Sequence, residues 1–321
     1  MRHFVGLVLT GLGVFLLVSG VLIRFYAAPR LVMAPTDIYQ ITTLRAENAT
    51  YFDAASLKVR TGVTITATST VRGDVKAGHG DIAVWDSLTM VQDLDNGRTV
   101  DIRPQRVAFD RRTAELTACC GASAPAGGDV RQPGIGLFWP VDVARRSYQL
   151  FDAQTGRTWP IRYDGEESVR GVRTYRFVQH IPATRVTGKA LSVPGDLLGR
   201  RAKSGSVAVD RYYQADVTYW IDPRTGAPLN SRQKVLSTLQ AQKGPGRLVV
   251  ADMDLQMTDA SQRGLLAKSE EGADGIRAVR TLGPLACLVT GLVSAAAGLG
   301  FARRRRRAPR HTAELVTGIR S

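Results

Sequence analysis

The chain has 321 residues, of which 44% are apolar, and it carries a formal net charge of +15. This length suits one large domain or two modest ones, and this apolar content is ordinary for a globular protein. Seven arginines are concentrated in the tail from Arg303 onward, and the rest of the excess positive charge is dispersed along the chain. This distribution argues against a nucleic-acid-binding surface.

Two uncharged apolar stretches lie near the ends of the chain, at residues 4–23 and 282–302. Each is long enough to cross a hydrocarbon core of about 30 Å as a helix. The basic flanks then place residues 1–3 and 303–321 in the cytoplasm and residues 24–281 outside, as in a two-pass plasma-membrane protein. Five consecutive arginines are expected to contact the bilayer through anionic head groups of the inner leaflet: Arg303, Arg304, Arg305, Arg306 and Arg307.

The first apolar stretch also has features of a secretory signal peptide, with a basic start and Ala27-Ala28 near its end. Its apolar run is longer than the usual signal core, and no A-x-A cleavage site follows it cleanly. We therefore expect an uncleaved anchor. Cleavage, the alternative, would leave a single-pass protein held by its C-terminal helix.

Between the two stretches the sequence predicts mainly strands. Pro29 and Pro35 predict an extended lead-out over residues 26–39. Alternating or β-branched residues predict strands, and the Asp95-Asn96-Gly97 cluster predicts a hairpin turn between the second and third of them. These strands are expected at residues 58–71, 81–91, 98–109, 207–222, 227–236 and 247–257.

The stretch Ser147 to His180 predicts a three-stranded antiparallel meander, interrupted by Asp and Gly turn residues. In its first turn Asp152 offers a side-chain acceptor and Gly156 can adopt a positive φ. A related pattern recurs at Phe109 to Ala114 and again at Ile221 to Gly226, where Asp222 and Gly226 take the same positions.

Three further segments complete the prediction. Residues 118–136 are rich in Gly, Ala and Pro and predict a long surface loop. Residues 190–201 suit a short helix or turn, and residues 258–280 suit a helix that leads into the second apolar stretch. With roughly ten strands, the expected fold class is α+β and β-dominated: an antiparallel sheet or barrel-like extracytoplasmic domain between two terminal transmembrane helices.

Catalytic and metal-binding motifs are not recognisable in this sequence. His79 and His180 accompany no nucleophile motif, and no C-x-x-C or phosphate-binding loop occurs. Adjacent Cys119 and Cys120 could pair only through a strained ring, so two buried or partner-linked thiols are expected there. The sequence therefore predicts a protein that is not an enzyme and needs no cofactor or metal.

Four motifs carry a resemblance to a known family. They are SYQLFDAQTGRTWPIRYDG, GVRTYRF, LSVPGDLLG and VTYWIDPRTGAPL, in that order along the chain. With the two terminal apolar stretches, they resemble the actinobacterial domain-of-unknown-function (DUF) family 3068, also labelled a PorA-type porin family, over about residues 4–302. The resemblance implies an envelope protein and supplies no catalytic residue.

The expected function is that of a membrane-anchored, non-catalytic envelope protein whose outer domain binds an apolar or lipidic ligand or an envelope partner. Candidate contacts, for which core packing is the competing interpretation, are Trp85, Phe138, Trp139, Trp159 and Trp220. One alternative is a porin-like channel or channel subunit, and another is a hydrolase of envelope lipids or glycans. A pore would have to come from oligomerised helices, because the strands carry charge and do not suit a membrane β-barrel. The second apolar stretch contains small residues that permit close contact between helices.

Overall fold

A computed structural model describes residues 2–124, 132–188, 190–200 and 205–304. The chain divides into two compact units, a helical unit of Met1–Val32 with Asp274–Ser321 and a sheet unit of Met33–Ala273. The arginine run from Arg305 to Arg307 lies outside the described residues, as do residues 125–131 in the predicted surface loop.

The helical unit contains the two ends of the described chain. Helix α1, Arg2–Leu22, continues through a π-helical segment, Ile23–Ala27, into the short helix α2, Ala28–Leu31. The extended lead-out expected after the first apolar stretch is therefore helical up to Leu31. Pro29 is accommodated because it stands in the first turn of α2, where a residue without an N–H is tolerated.

At the other end, helix α3, Asp259–Arg277, leads through the π-helical segment Ala278–Leu282 into helix α4, Gly283–Arg304. Phe4–Leu31 and Asp259–Phe301 are long and apolar enough to cross a membrane by length and composition. The longer of these two helices begins in the sheet unit and ends in the helical unit.

Small residues bring α1 and α4 into close contact inside the helical unit. A Cβ placed on Gly13 would lie 2.6 Å from the backbone nitrogen of Ala295, and one placed on Gly291 would lie 2.9 Å from the carbonyl oxygen of Gly13. Further along α4, Gly298 faces Thr10 in the same way. Three small residues of the second apolar stretch thus pack against α1 within the chain: Gly291, Ala295 and Gly298.

The sheet unit is built on eleven antiparallel strands in its described part. Their order across the sheet is β4-β3-β2-β1-β11-β10-β9-β7-β6-β5, with β8 paired to β9. The strands are β1 Tyr39–Asp53, β2 Lys58–Gly73, β3 Ile82–Asp93, β4 Arg98–Asp110, β5 Tyr148–Asp152, β6 Arg157–Val169, β7 Val172–Arg185, β8 Leu191–Pro194, β9 Ser206–Ile221, β10 Pro228–Ala241 and β11 Arg247–Met257. A 3₁₀-helix, Gly195–Leu198, follows β8.

The sheet curls into a half-barrel, which confirms the β-dominated antiparallel class. The β1–β2 register shifts between Ala46 and Ala49, and the β7–β9 register shifts between Ile181 and Thr184. Such bulges bend a strand and increase its local twist. The inner face of the curl holds the largest buried apolar cluster, which includes Leu44, Ile65, Ile181, Tyr213 and Met253.

Ile135 joins the two edges of the half-barrel at one end. It forms isolated bridges to Glu115, just after β4, and to Leu150 in β5. Its side chain is only 1% exposed. The prediction of a surface loop over residues 118–136 is thus wrong at its end, because the side chain of Ile135 is buried in the core.

The prediction of two buried or partner-linked thiols is also wrong, since Cys119 and Cys120 form a disulfide with each other. Cys120 has a positive φ of 59° and is followed by Gly121 with a φ of 76°, so the backbone turns sharply at this point. Arg106 donates to the carbonyl oxygen of Cys120 at 3.0 Å and holds this turn against β4.

Candidate functional site

The candidate site is a trough along the inner face of the half-barrel. Alternate residues of β1, β2, β3, β4, β9, β10 and β11 line a cavity of about 300 Å³. Alternation places every second side chain of a strand on one face, so this lining is the inward face of seven strands. The segment after Ile135 and the β5–β6 turn contribute Leu137, Trp139 and Gln154.

Strand register divides this lining into an apolar and a polar row. Met257 pairs with Leu44, Leu44 with Ala67 and Ala67 with Val91, which makes one apolar row across four strands. In the neighbouring row a polar side chain stands at each position, and its members are Thr42, Ser69, Thr89 and Arg103. The trough therefore presents an amphipathic surface.

A second cavity of about 700 Å³ adjoins the trough. It lies between the edge strand β4 and the ends of β7, β8 and β9, on the side that Ile135 does not close. Arg103 and Arg211 line both cavities. The two guanidinium groups thus stand where the trough opens sideways, and we call this place the arginine mouth.

The charges at the arginine mouth are unequally compensated. Arg103 Nε lies 2.6 Å from Asp101 Oδ2, and Arg185 pairs with Asp210 at 2.8 Å. Arg211 instead donates through Nε to Ser237 Oγ at 3.1 Å. Within the described residues, its guanidinium makes no ion pair.

Burial lowers the pKa of the Arg211 guanidinium, and the neighbouring charge of Arg103 lowers it further. Arginine nevertheless remains protonated in proteins. The result is a half-buried cation whose charge is costly to hold in this place, since water screens it incompletely and the attraction of Asp101 offsets only part of that cost.

Two tyrosines and one carboxyl group near the trough have pKa values shifted by burial. Burial raises the pKa of the Tyr219 hydroxyl to about 12 and also raises the pKa of Tyr213. It raises the pKa of the Asp152 carboxyl too, against hydrogen bonds from Thr155. These shifts favour the neutral forms, which suits buried packing.

A hydrolytic site would need a nucleophile bonded to a base. Among the hydroxyl groups that line the trough in the described part of the chain, none is hydrogen-bonded to His, Asp or Glu. Within that part of the chain, the hydroxyl groups of the trough have no base beside them that would activate them for attack.

Of the five aromatic residues predicted as ligand contacts, only Trp139 lines the trough, where its ring packs 4.8 Å from that of Phe177. Trp85 and Phe138 belong to another cluster, with ring centroids 5.7 Å apart. Trp159 donates to Thr155 Oγ1 at 3.1 Å. Trp220 donates to Glu167 Oε2 at 2.5 Å.

The predicted turn residues support the sheet around the trough. Asp152 Oδ2 accepts from the Thr155 backbone at 2.7 Å, and Gly156 has a φ of 65°. Asp222 is fully buried, accepts from Ser269 of α3 at 2.9 Å, and is followed by Gly226 with a φ of 77°. The second of these turns thereby fastens the middle of α3 to the sheet.

Sequence reasoning missed both arginines of the mouth, although one pattern could have revealed Arg211. In β9 the alternate positions 209, 213, 215 and 217 are all buried apolar residues. Arg211 occupies the same series, so it is a charged residue on the inward face of a strand. Arg103 had no such signal, because its neighbours at alternate positions of β4, Asp101 and Gln105, are polar as well.

Comparison with known proteins places the chain in a family. The family model described as Porin PorA matches residues 5–300. A protein named Porin PorA from Corynebacterium resistens is 23% identical over 288 aligned residues, covering 67% of this chain and 70% of that protein. Another, from Corynebacterium amycolatum, is 24% identical over 163 residues, covering 40% of this chain and 42% of that protein. The resemblance to a PorA-type porin family is thus confirmed, and the chain belongs to the PorA porin family.

Proposed function

We propose that the chain is a porin-like channel subunit in an envelope membrane. The observation that carries this proposal is the family match, which spans both candidate membrane helices and the whole sheet unit. The relatives named porins support the same role. This favours the channel over the anchored lipid-binding protein that we expected first from the sequence.

The pore of this proposal contains several copies of the chain. Two helices packed side by side enclose no water-filled path, and α1 and α4 are in contact along small residues. Large apolar side chains cover much of their remaining surface, as expected for lipid contact: Leu7, Phe15, Leu22, Leu285, Leu292 and Val293. On α4, Ala296, Ala297 and Gly300 are exposed within the chain, and small residues permit close contact between helices of different copies.

The proposed topology has both termini in the cytoplasm and the sheet unit outside. It is supported by the basic residues that flank the two candidate helices, above all the arginines of the tail. The same arginines would hold the tail at the inner leaflet through anionic lipid head groups.

Planar-bilayer recordings of the purified full chain test the channel. We expect discrete conductance steps whose frequency rises more steeply than linearly with protein concentration. Gly300→Leu should reduce that frequency about tenfold by separating copies. Gly11→Leu is the matched control, because Gly11 and Gly300 both have no atom of the chain near the position of an added Cβ. Silence from folded protein at high protein load contradicts the proposal.

A second candidate function is ligand holding by the sheet unit, which the trough favours. Its cavity has the size of a small-molecule site, and apolar residues adjoin a few polar groups in its lining. Lipid extraction and mass spectrometry of the natively purified protein test this function. A co-purifying amphiphile in near-stoichiometric amount is expected, and its consistent absence counts against ligand holding.

A further inference from the structure

Resting on the second candidate function, we infer that the arginine mouth binds the anionic head group of an amphiphile whose aliphatic tail lies in the trough. The head carries a single negative charge, as a carboxylate does. Arg211 is its principal contact, and Arg103 flanks it from the opposite edge of the opening.

The charge count at the mouth supports a single negative charge. Five charged residues line the outer cavity, and four of them form the pairs Asp101 with Arg103 and Asp210 with Arg185. Arg211 forms no ion pair among the described residues, and the three cations and two anions of this lining leave one positive charge in excess. A monoanion would neutralise this one uncompensated cation, whereas a dianion would again leave an unbalanced charge.

The hydrogen bonds of Arg211 orient it for this role. Its Nε donates to Ser237 Oγ, and that hydroxyl itself donates to the carbonyl oxygen of Tyr212 at 3.1 Å. The Arg211 side chain is therefore held through its Nε atom. Its two terminal nitrogens make no hydrogen bond to the described residues, and they provide the fork that matches the two oxygens of a carboxylate.

The position of the apolar row accounts for the tail. The inner cavity is lined by Arg103 and Arg211 as its only charged residues in the described part of the chain. Its apolar lining includes Met257 of the apolar row together with Val235 and Met253. A bound chain can thus extend from the mouth along apolar side chains. At about 300 Å³ the inner cavity is at the small end of ligand sites, which favours one aliphatic chain over two.

Photolabelling of the full chain in neutral detergent tests this inference. The probe is a diazirine derivative of hexadecanoic acid, and its methyl ester is the uncharged comparison. Tryptic mass spectrometry then reads the label in the β11 peptide that contains Met253 and Met257. We expect the acid to label this peptide about tenfold more than the ester at equal, subsaturating concentration, as one charge-assisted contact would require.

Variants assign that difference to the mouth. Arg211→Met should reduce labelling by the acid to the level of the ester, whereas Arg211→Lys should keep most of it. Arg103→Met is a second variant on the opposite edge and should weaken labelling by the acid, since it leaves Asp101 uncompensated. Arg232→Met is the matched control, because Arg232 is exposed and paired with Asp254 away from the trough.

Three results would overturn the inference, and they differ in what they leave standing. Equal labelling by acid and ester, unchanged in Arg211→Met, removes the head-group site and retains ligand holding. Absence of label from the β11 peptide with either probe removes ligand holding itself. Loss of labelling by the acid when inorganic phosphate is added at the probe's own concentration replaces the amphiphile with a free anion.

Discussion

Gly226 occupies the fifth position of the turn between β9 and β10, four residues after the buried Asp222. Four other turns share this arrangement, with an aspartate first and a residue of positive φ in fifth place. They begin at Asp53, Asp93, Asp110 and Asp152, and their fifth residues are Leu57, Gly97, Ala114 and Gly156. The side chain of the aspartate accepts from backbone N–H groups two or three residues later in each turn.

Replacing Gly226 with alanine should destabilise the sheet unit more than the same change at Gly97. Both residues have positive φ, but an added Cβ at Gly226 would also meet carbonyl oxygens of Trp139 and Pro140, the latter at 2.7 Å. We expect losses of about 2 to 4 kcal/mol for Gly226→Ala and about 1 kcal/mol for Gly97→Ala. Urea unfolding followed by tryptophan fluorescence measures both, and equal losses would contradict the close approach.

Asp53 predicts a specific dependence of stability on acid. A hydrogen bond from Ser56, supported by Arg60, lowers the pKa of its carboxyl to about 2. A carboxyl group in an unfolded chain titrates near pH 4, so the folded state gains stability above that pH and loses it as the pH falls from about 4 to 2.

Asp53→Asn should therefore lower the thermal midpoint of unfolding at pH 7, and its difference from the wild type should vanish near pH 2. Asp37→Asn is the control, because Asp37 is exposed and makes no hydrogen bond to the described residues. If the difference in thermal midpoint between Asp53→Asn and the wild type stays constant from pH 7 to pH 2, the charge of this carboxylate does not contribute to stability.

At the scale of elements, Gly20 of α1 and Cys287 of α4 provide a direct test of the helix pair. A Cβ built on Gly20 would lie 3.3 Å from the Cβ of Cys287, close to the separation found in disulfides. Gly20→Cys should thus form an intramolecular crosslink under mild oxidation. Gly11→Cys should not, since no atom lies near its added Cβ.

The crosslink is read after proteolytic cleavage within the sheet unit. In oxidised Gly20→Cys the two terminal fragments should migrate together on a gel, and a reducing agent should separate them. Fragments that separate without reduction would contradict the contact between α1 and α4.

Local pattern predicted most of the elements and missed those that depend on distant partners. The alternation from Lys58 predicted β2, and the Asn96-Gly97 pair predicted the β3–β4 turn. Strand β1 was not predicted because both of its faces carry apolar as well as polar residues. Its place in the centre of the sheet depends on its pairing with β11, a distant strand. Ile135 was missed for a similar reason, since its burial depends on β4 and β5 together.

At the scale of the whole molecule, the candidate site was largely invisible in the sequence. Its lining comes from seven strands, and which strand lies beside which is set by the sheet order, which one sequence does not reveal. Large aromatic residues drew attention first, yet four of the five predicted contacts pack outside the trough. The polarity of a strand face, as at Arg211, was the more informative signal.

The proposed topology predicts opposite labelling of two engineered cysteines. Ala55→Cys lies in the exposed turn after β1, and Ser321→Cys is the end of the tail. A membrane-impermeant maleimide should label the first in intact cells and the second only after the cells are lysed. The native Cys119 and Cys120 are joined in a disulfide and so give little background. Labelling of both positions in intact cells would contradict cytoplasmic termini.

The pairing of β1 with β11 has a consequence for the order in which the protein can be made. It joins Leu44 to Met257 in the middle of the sheet, across about 200 positions of sequence. Until a ribosome has synthesised Met257, β1 therefore has one open edge, which can pair with other chains. Contacts between such distant residues also form slowly. We therefore expect the β1 edge of the growing chain to be prone to such pairing until β11 emerges. A chain that stops before Arg247 lacks β11, the strand that joins the two halves of the sheet.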